Sequence, residues 1–91
     1  MEKKVEIIVT GRVQGVGFRY FIEDKAVSLN LKGYVKNIDY NKVEIVAEGE
    51  ETNLNQLVEF AEKGPSYARV TNIKTDFKEA TGEFKGFNLR F

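Results

Sequence analysis

Residues 11–19 read Gly-Arg-Val-Gln-Gly-Val-Gly-Phe-Arg, and what stands on either side of them decides the fold. Before them, Val5, Ile7 and Val9 alternate with Glu6, Ile8 and Thr10, the period-two pattern of a half-buried strand over residues 4–13. After them, Phe18, Ile22, Ala26 and Leu29 recur at helical spacing, with Phe21 alongside. Three glycines and a guanidinium therefore sit where a strand becomes a helix. The first amides of a helix have no intrahelical partners, and the aligned peptide dipoles leave partial positive charge there. Glycines permit positive φ, so consecutive N–H groups can converge on one point. Arg19 adds a planar fork of donors suited to phosphate or carboxylate. The stretch reads as an anion cradle, with a plain tight turn as the alternative. Neither named nucleotide loop fits: Tyr20 stands where a dinucleotide motif counted from Gly15 needs its last glycine. Counted from Gly11, Val16 and Gly17 replace the Gly-Lys pair of the ATPase loop.

The rest of the chain, read outward, completes one small domain of 91 residues. Leu29-Asn30-Leu31 is expected to end the helix, with Asn30 in the left-handed cap conformation. Residues 33–38 form a second strand, and Asp39-Tyr40-Asn41 a tight turn in which Asn41 is expected at positive φ. Val43, Ile45 and Ala47 mark a third strand. Asn53-x-x-Gln56 resembles a capping box for a second helix carrying Leu54, Leu57, Val58 and Ala61, which Gly64-Pro65 stops. Residues 69–78 form a fourth strand with a bulge or bend after Val70, and Phe87, Leu89 and Phe91 alternate as a short last one. Phe18, Phe21, Phe77, Phe84 and Phe87 are assigned to the core, and Lys3-Lys4 to a solvated terminus. The order β-α-β-β-α-β predicts an α+β, ferredoxin-like sandwich: an antiparallel sheet, two helices on one face and a short extra C-terminal strand. Right-handed crossovers set strands 1 and 2 parallel with strand 3 between them. Asn37 and the 11–19 loop then leave the sheet at one edge, about 10 Å apart.

Composition removes many chemistries. With no cysteine and no histidine, there is no disulfide framework, no thiol or Ser-His-Asp nucleophile and no ordinary zinc site. A net charge of zero argues against a sequence-blind nucleic-acid binder. No apolar run is long enough to span a bilayer and no signal peptide precedes the first strand, so a cytoplasmic location is expected. Arg, Lys, Asn, Gln, carboxylates, hydroxyls, backbone groups and water are what remains.

Residues 11–19 followed by Gly-Tyr-Val-Lys-Asn at 33–37 closely resemble the acylphosphatases, and Val43–Gly49 and Gly64–Val70 resemble further pieces of the same pattern. The resemblance covers nearly the whole chain. It implies a single acylphosphatase-like domain, residues 1–91, that hydrolyses acyl phosphates to a carboxylate and inorganic phosphate without metal or cofactor. It also implies that Arg19 binds the phosphoryl group and Asn37 holds the attacking water. The chain departs from the family where Tyr40-Asn41-Lys42 and Asn30 replace frequent glycines, which touches only turn geometry.

The chemistry suits the residues. A carboxylate leaving group needs no general acid, and phosphoryl transfer demands positioning and charge stabilisation. The phosphate ligands are expected from Gln14, Gly15, Val16, Gly17, Phe18 and Arg19, with Arg19 and Asn37 catalytic. Gln14 lends an amide or side chain, or is only a wet turn residue. Arg12 and Lys36 are read as solvated charges, and Tyr20 and Tyr34 as rim or partial core. Small acyl phosphates are the expected partners, with inorganic phosphate as product or competitive inhibitor, and no nucleic acid or membrane. A monomer is expected. One rival is an RNA-recognition module, which needs rings on strands 1 and 3 of the open face; those strands offer Glu6, Ile8, Thr10, Glu44, Val46 and Glu48. The other is a non-catalytic domain of the same family from a larger protein; the chain's end directly after its last strand favours the free-standing enzyme.

Overall fold

The computed structural model describes residues 1–91. Its elements run β1 (Glu2–Arg12), α1 (Phe18–Ser28), β2 (Lys32–Ile38), β3 (Lys42–Glu50), α2 (Glu51–Lys63), β4 (Arg69–Glu79) and β5 (Phe87–Arg90). The sheet order is β4-β1-β3-β2-β5. β1 pairs antiparallel with β3 and β4, and β2 with β3, whereas β5 runs parallel to β2. The α+β, ferredoxin-like sandwich is the one the pattern predicts, with a sheet made mixed by β5. Val5, Ile7, Val9, Val35, Val43, Ile45 and Ala47 turn inward against Phe18, Ile22, Ala26, Leu54, Leu57 and Ala61 of the helices. Fully burying one of the larger of these side chains contributes about 1.5–3 kcal/mol.

Local signals mostly hold. Asn30 adopts φ 58° and the Leu31 N–H closes onto the Ala26 carbonyl at 2.9 Å, a left-handed helix end that buries Leu31. The bulge in β4 is real: Gly11 pairs with Val70 but Thr10 with Asn72, leaving Thr71 as the extra residue.

Several expectations fail for identifiable reasons. Asp39, not Asn41, takes positive φ at 51°; the Asn41 carbonyl instead accepts from the Gly11 N–H at 2.9 Å. Asn53 caps nothing of its own helix, because α2 starts directly after β3 with Glu50 at its N-cap. Its Nδ2 donates to the Leu29 carbonyl at 3.2 Å, satisfying the end of α1. Phe77 is 39% exposed on the edge strand β4. Phe84 packs on the far side of the sheet against Tyr34, ring centroids 6.0 Å apart, with the Lys4 Nζ 5.7 Å from its ring. Lys4 is no solvated terminus: it pairs with Glu48 and Glu83 at 3.6 and 3.3 Å.

Candidate active site

The cradle forms because β1 stops at Arg12 and α1 begins only at Phe18. Gly15 and Gly17 lie between them at φ 72° and 78°. A Cβ at either would meet nothing within 4 Å, so conformation rather than space demands glycine there. Gly17 is the N-cap of α1, with no side-chain cap and no acidic residue in the first turn. No backbone carbonyl accepts from the amides of Gln14 to Tyr20; the first such bond of the helix runs from the Phe21 N–H to the Gly17 carbonyl at 3.0 Å. An uncapped helix start, free of negative charge and with its donors unspent, attracts anions.

Five of the seven residues from Gln14 to Tyr20 border a cavity of about 130 Å³, lined by Val13, Gly15, Gly17, Phe18, Arg19, Tyr20 and Asn37. The two residues expected to be catalytic thus meet, from α1 and β2, in one wall. The Asn37 Oδ1 is buried and has no hydrogen-bond partner, a state that costs about 1–3 kcal/mol unless something fills it. Arg19 is held from behind. Its Nη1 donates to the Arg90 carbonyl at 2.8 Å, and its Cζ lies 4.9 Å from the centroid of the Phe91 ring. It forms no ion pair with a carboxylate. A guanidinium carries five N–H donors, so most of the fork stays available for an anion.

The remaining candidates separate. The Gln14 side chain does not join the cradle: its Nε2 donates to the carbonyls of Asp39 at 2.6 Å, Lys42 at 2.9 Å and Ile38 at 3.3 Å. It ties the loop to the β2–β3 turn and leaves only its main chain for a ligand. Val16 packs its side chain against the core, and neither Gln14 nor Val16 is among the residues that line the cavity. Arg12 and Lys36 do not line the cavity, but Tyr20 does. Tyr34 faces the other way. Its hydroxyl donates to Glu44 Oε1 at 3.1 Å, and burial, then Glu44, push its pKa up. The grip on Arg19 by Arg90 and Phe91 has no local signal in the sequence. It arises because β5 pairs in parallel with β2, Gly33 against Phe87 through Lys36 against Arg90.

Other surfaces suit an anion less. A wider, shallow depression of about 580 Å³ on α2 is lined by Gln56, Glu59, Phe60, Glu62 and Lys63, and its two carboxylates repel a dianion. No group of three or more His, Cys, Asp or Glu side chains is placed to hold a metal ion. No helix is long and apolar enough to cross a membrane. The outward sheet face does carry rings, Tyr34 and Phe84, but neither comes from β1 or β3. Tyr34 is already covered by Phe84 and by Arg90, whose Cζ lies 3.9 Å from its centroid, so it is no open platform for a base.

Comparison with known proteins finds matches over nearly the whole chain. The Acylphosphatase family model matches residues 5–89. A curated acylphosphatase from Caldanaerobacter subterraneus subsp. tengcongensis is 42% identical over 89 residues, covering 98% of this chain and 99% of that protein. The crystal structure of acylphosphatase from Bacillus subtilis superposes with a TM-score of 0.93 at 41% identity, covering all of both chains. Full-length HypF, in its phosphate- and nucleotide-bound form, contains a similar unit: TM-score 0.90, 32% identity, all of this chain but 12% of that one.

Proposed function

This chain belongs to the acylphosphatase family of hydrolases, which act on small acyl phosphates, and we propose that Arg19 and Asn37 are its two catalytic side chains. The observation that carries this reading is that Asn37, whose Oδ1 is buried without a partner, lines the same cavity as Arg19. An orphaned acceptor beside unspent donors suits a water next to a phosphoryl group.

The phosphoryl oxygens accept from the amides of Gln14, Gly15, Val16, Gly17, Phe18 and Arg19 and from the Arg19 guanidinium. Asn37 accepts a hydrogen bond from a water and holds it in line with the scissile bond. The water oxygen bonds to phosphorus while the bond from phosphorus to the carboxyl oxygen breaks, its electron pair leaving on the carboxylate. The water's proton passes to a phosphoryl oxygen, because an amide carbonyl is not a base at neutral pH. Donors fixed in advance are worth most where negative charge gathers in the transition state, and here they stand in for a metal ion. We take the unit to be a single domain, residues 1–91, acting as a cytoplasmic monomer. Inorganic phosphate is its product and competitive inhibitor.

The test is turnover of benzoyl phosphate by the purified chain in the presence of a chelator, with inorganic phosphate titrated in. Hydrolysis that survives chelation and is competitively inhibited by phosphate is the expected result. Loss of activity on chelation sinks the metal-free mechanism, and absence of turnover in every condition sinks the enzyme reading in favour of a non-catalytic domain.

A further inference from the structure

In-line displacement sets the leaving carboxylate opposite the attacking water. With that water on Asn37 and the phosphoryl group on the loop amides, the acyl half of the substrate points away from Asn37, toward the mouth of the cavity of about 130 Å³. Val13 and Phe18 are almost fully buried in the core, so they offer the acyl group no surface. Tyr20 does: it lines the cavity directly after Arg19 on α1, and it is 64% exposed. Its ring stacks on no other aromatic ring and covers no cation. The other strongly exposed tyrosines, Tyr40 and Tyr67, do not line the cavity.

We infer that Tyr20 sets acyl specificity: its ring is the platform on which the acyl group lies, favouring acyl phosphates with a flat or bulky apolar acyl part over acetyl phosphate. The inference rests on the reading of Arg19 and Asn37 as the phosphoryl and water sites. A ring beside the donors adds affinity for the acyl side and leaves the grip on phosphate unchanged. It acts on selectivity rather than on bond breaking.

The experiment compares kcat/KM for benzoyl and acetyl phosphate, and inhibition by inorganic phosphate, in the wild type, Tyr20→Phe and Tyr20→Ala. The benzoyl-to-acetyl ratio is expected to fall about threefold to tenfold in Tyr20→Ala, the worth of one aromatic contact. It should return in Tyr20→Phe, with phosphate inhibition constant throughout. An equal loss on both substrates, or a loss of phosphate inhibition, overturns the inference and makes Tyr20 part of the cradle. An unchanged ratio overturns it too and puts the acyl group elsewhere. Failure of the wild type on both substrates is a different result, because it removes the underlying catalytic reading and this inference with it.

Discussion

Two polar clusters sit at opposite ends of the same sheet, and their hydrogen bonding is opposite as well. At one end Glu48, 5% exposed, is saturated. Its Oε2 accepts from the Thr81 amide and hydroxyl, both at 2.8 Å, its Oε1 from the Gly82 amide at 2.9 Å, and the Lys4 Nζ lies 3.6 Å away. At the other end the Asn37 Oδ1 is buried with no partner, and the amides of Gln14 to Tyr20 give nothing to a backbone carbonyl. Buried polar groups are paired almost everywhere in proteins, so the unpaired set calls for an explanation and the paired set does not. Burial does not mark the site, since the carboxylate at the structural end is the more hidden of the two residues. Vacant hydrogen-bonding capacity does.

The contrast breaks most readily at Arg19. Arg19→Lys is expected to lower kcat/KM for benzoyl phosphate by about a thousandfold, because a point charge cannot reproduce a two-pronged donor. Phosphate inhibition should disappear with it. An activity within a few-fold of wild type would mean the fork has no such role. Asn37→Ala should divide the two functions: kcat falls about a hundredfold or more, while the inhibition constant for phosphate stays put. Stability should not fall, since the lost carbonyl had no partner to forfeit, and it should rise by up to about 1–3 kcal/mol where nothing fills the site. Matched losses in turnover and phosphate affinity would recast Asn37 as a binding residue.

The saturated end should respond the other way round. Glu48→Gln sets an NH2 group against the Thr81 donors or, flipped, against the Gly82 amide, and is expected to cost about 1–3 kcal/mol in urea unfolding. The kcat of the folded fraction should not change. Burial alone pushes the Glu48 carboxyl up, but the Thr81 amide and hydroxyl, the Gly82 amide and then Lys4 together bring its pKa below the ordinary value. The unfolded chain therefore binds its proton more readily than the folded one. The stabilisation is complete above the unfolded pKa, about 4.3 for glutamate, and is lost as pH falls from there through the lower folded value. Urea midpoints measured across that acid range should fall steeply for the wild type and more gently for Glu48→Gln. Some slope should persist from Glu83, which Thr81 and then Lys4 also lower. Parallel curves would remove Glu48 from the acid response.

How much of this was legible in the sequence follows the same division. Alternation in β1 and β3 and the helical spacing from Phe18 depend on burial alone, and they give the element order, the core and the junction that carries Arg19. Asn37 was singled out by the resemblance to the acylphosphatases, and its place at the end of β2, before the turn to β3, fixes which sheet edge it leaves from. Interactions between distant segments were not. Asn53 reads as a cap because its neighbours fit a capping box, yet a carbonyl of α1, 24 residues away, claims its side chain. Glu48 reads as a solvated outward residue until the chain returns 33 residues later with Thr81 to cover it. Gln14 fits a loop donor until the Asp39 and Lys42 carbonyls come within its reach. In each case a polar side chain was assigned to its sequence neighbours and a long-range partner outbid them.

The subtlest member of the open cluster is Phe91, where the expected effect is smallest. Its ring is 94% exposed, so truncating it takes nothing from the core. What the ring offers is its face, 4.9 Å from the Arg19 Cζ, and an exposed contact of that kind is worth about 0.5–1 kcal/mol. Phe91→Ala should therefore reduce kcat/KM only about twofold to fivefold, since the Arg90 carbonyl still holds Nη1. The diagnostic is which quantities move together. If the ring helps aim the guanidinium, phosphate inhibition weakens by the same factor and the urea midpoint does not shift. A lower midpoint would instead make the tail part of the fastening that Glu48 exemplifies, and unchanged inhibition would leave the Arg90 carbonyl as the whole of the support behind Arg19.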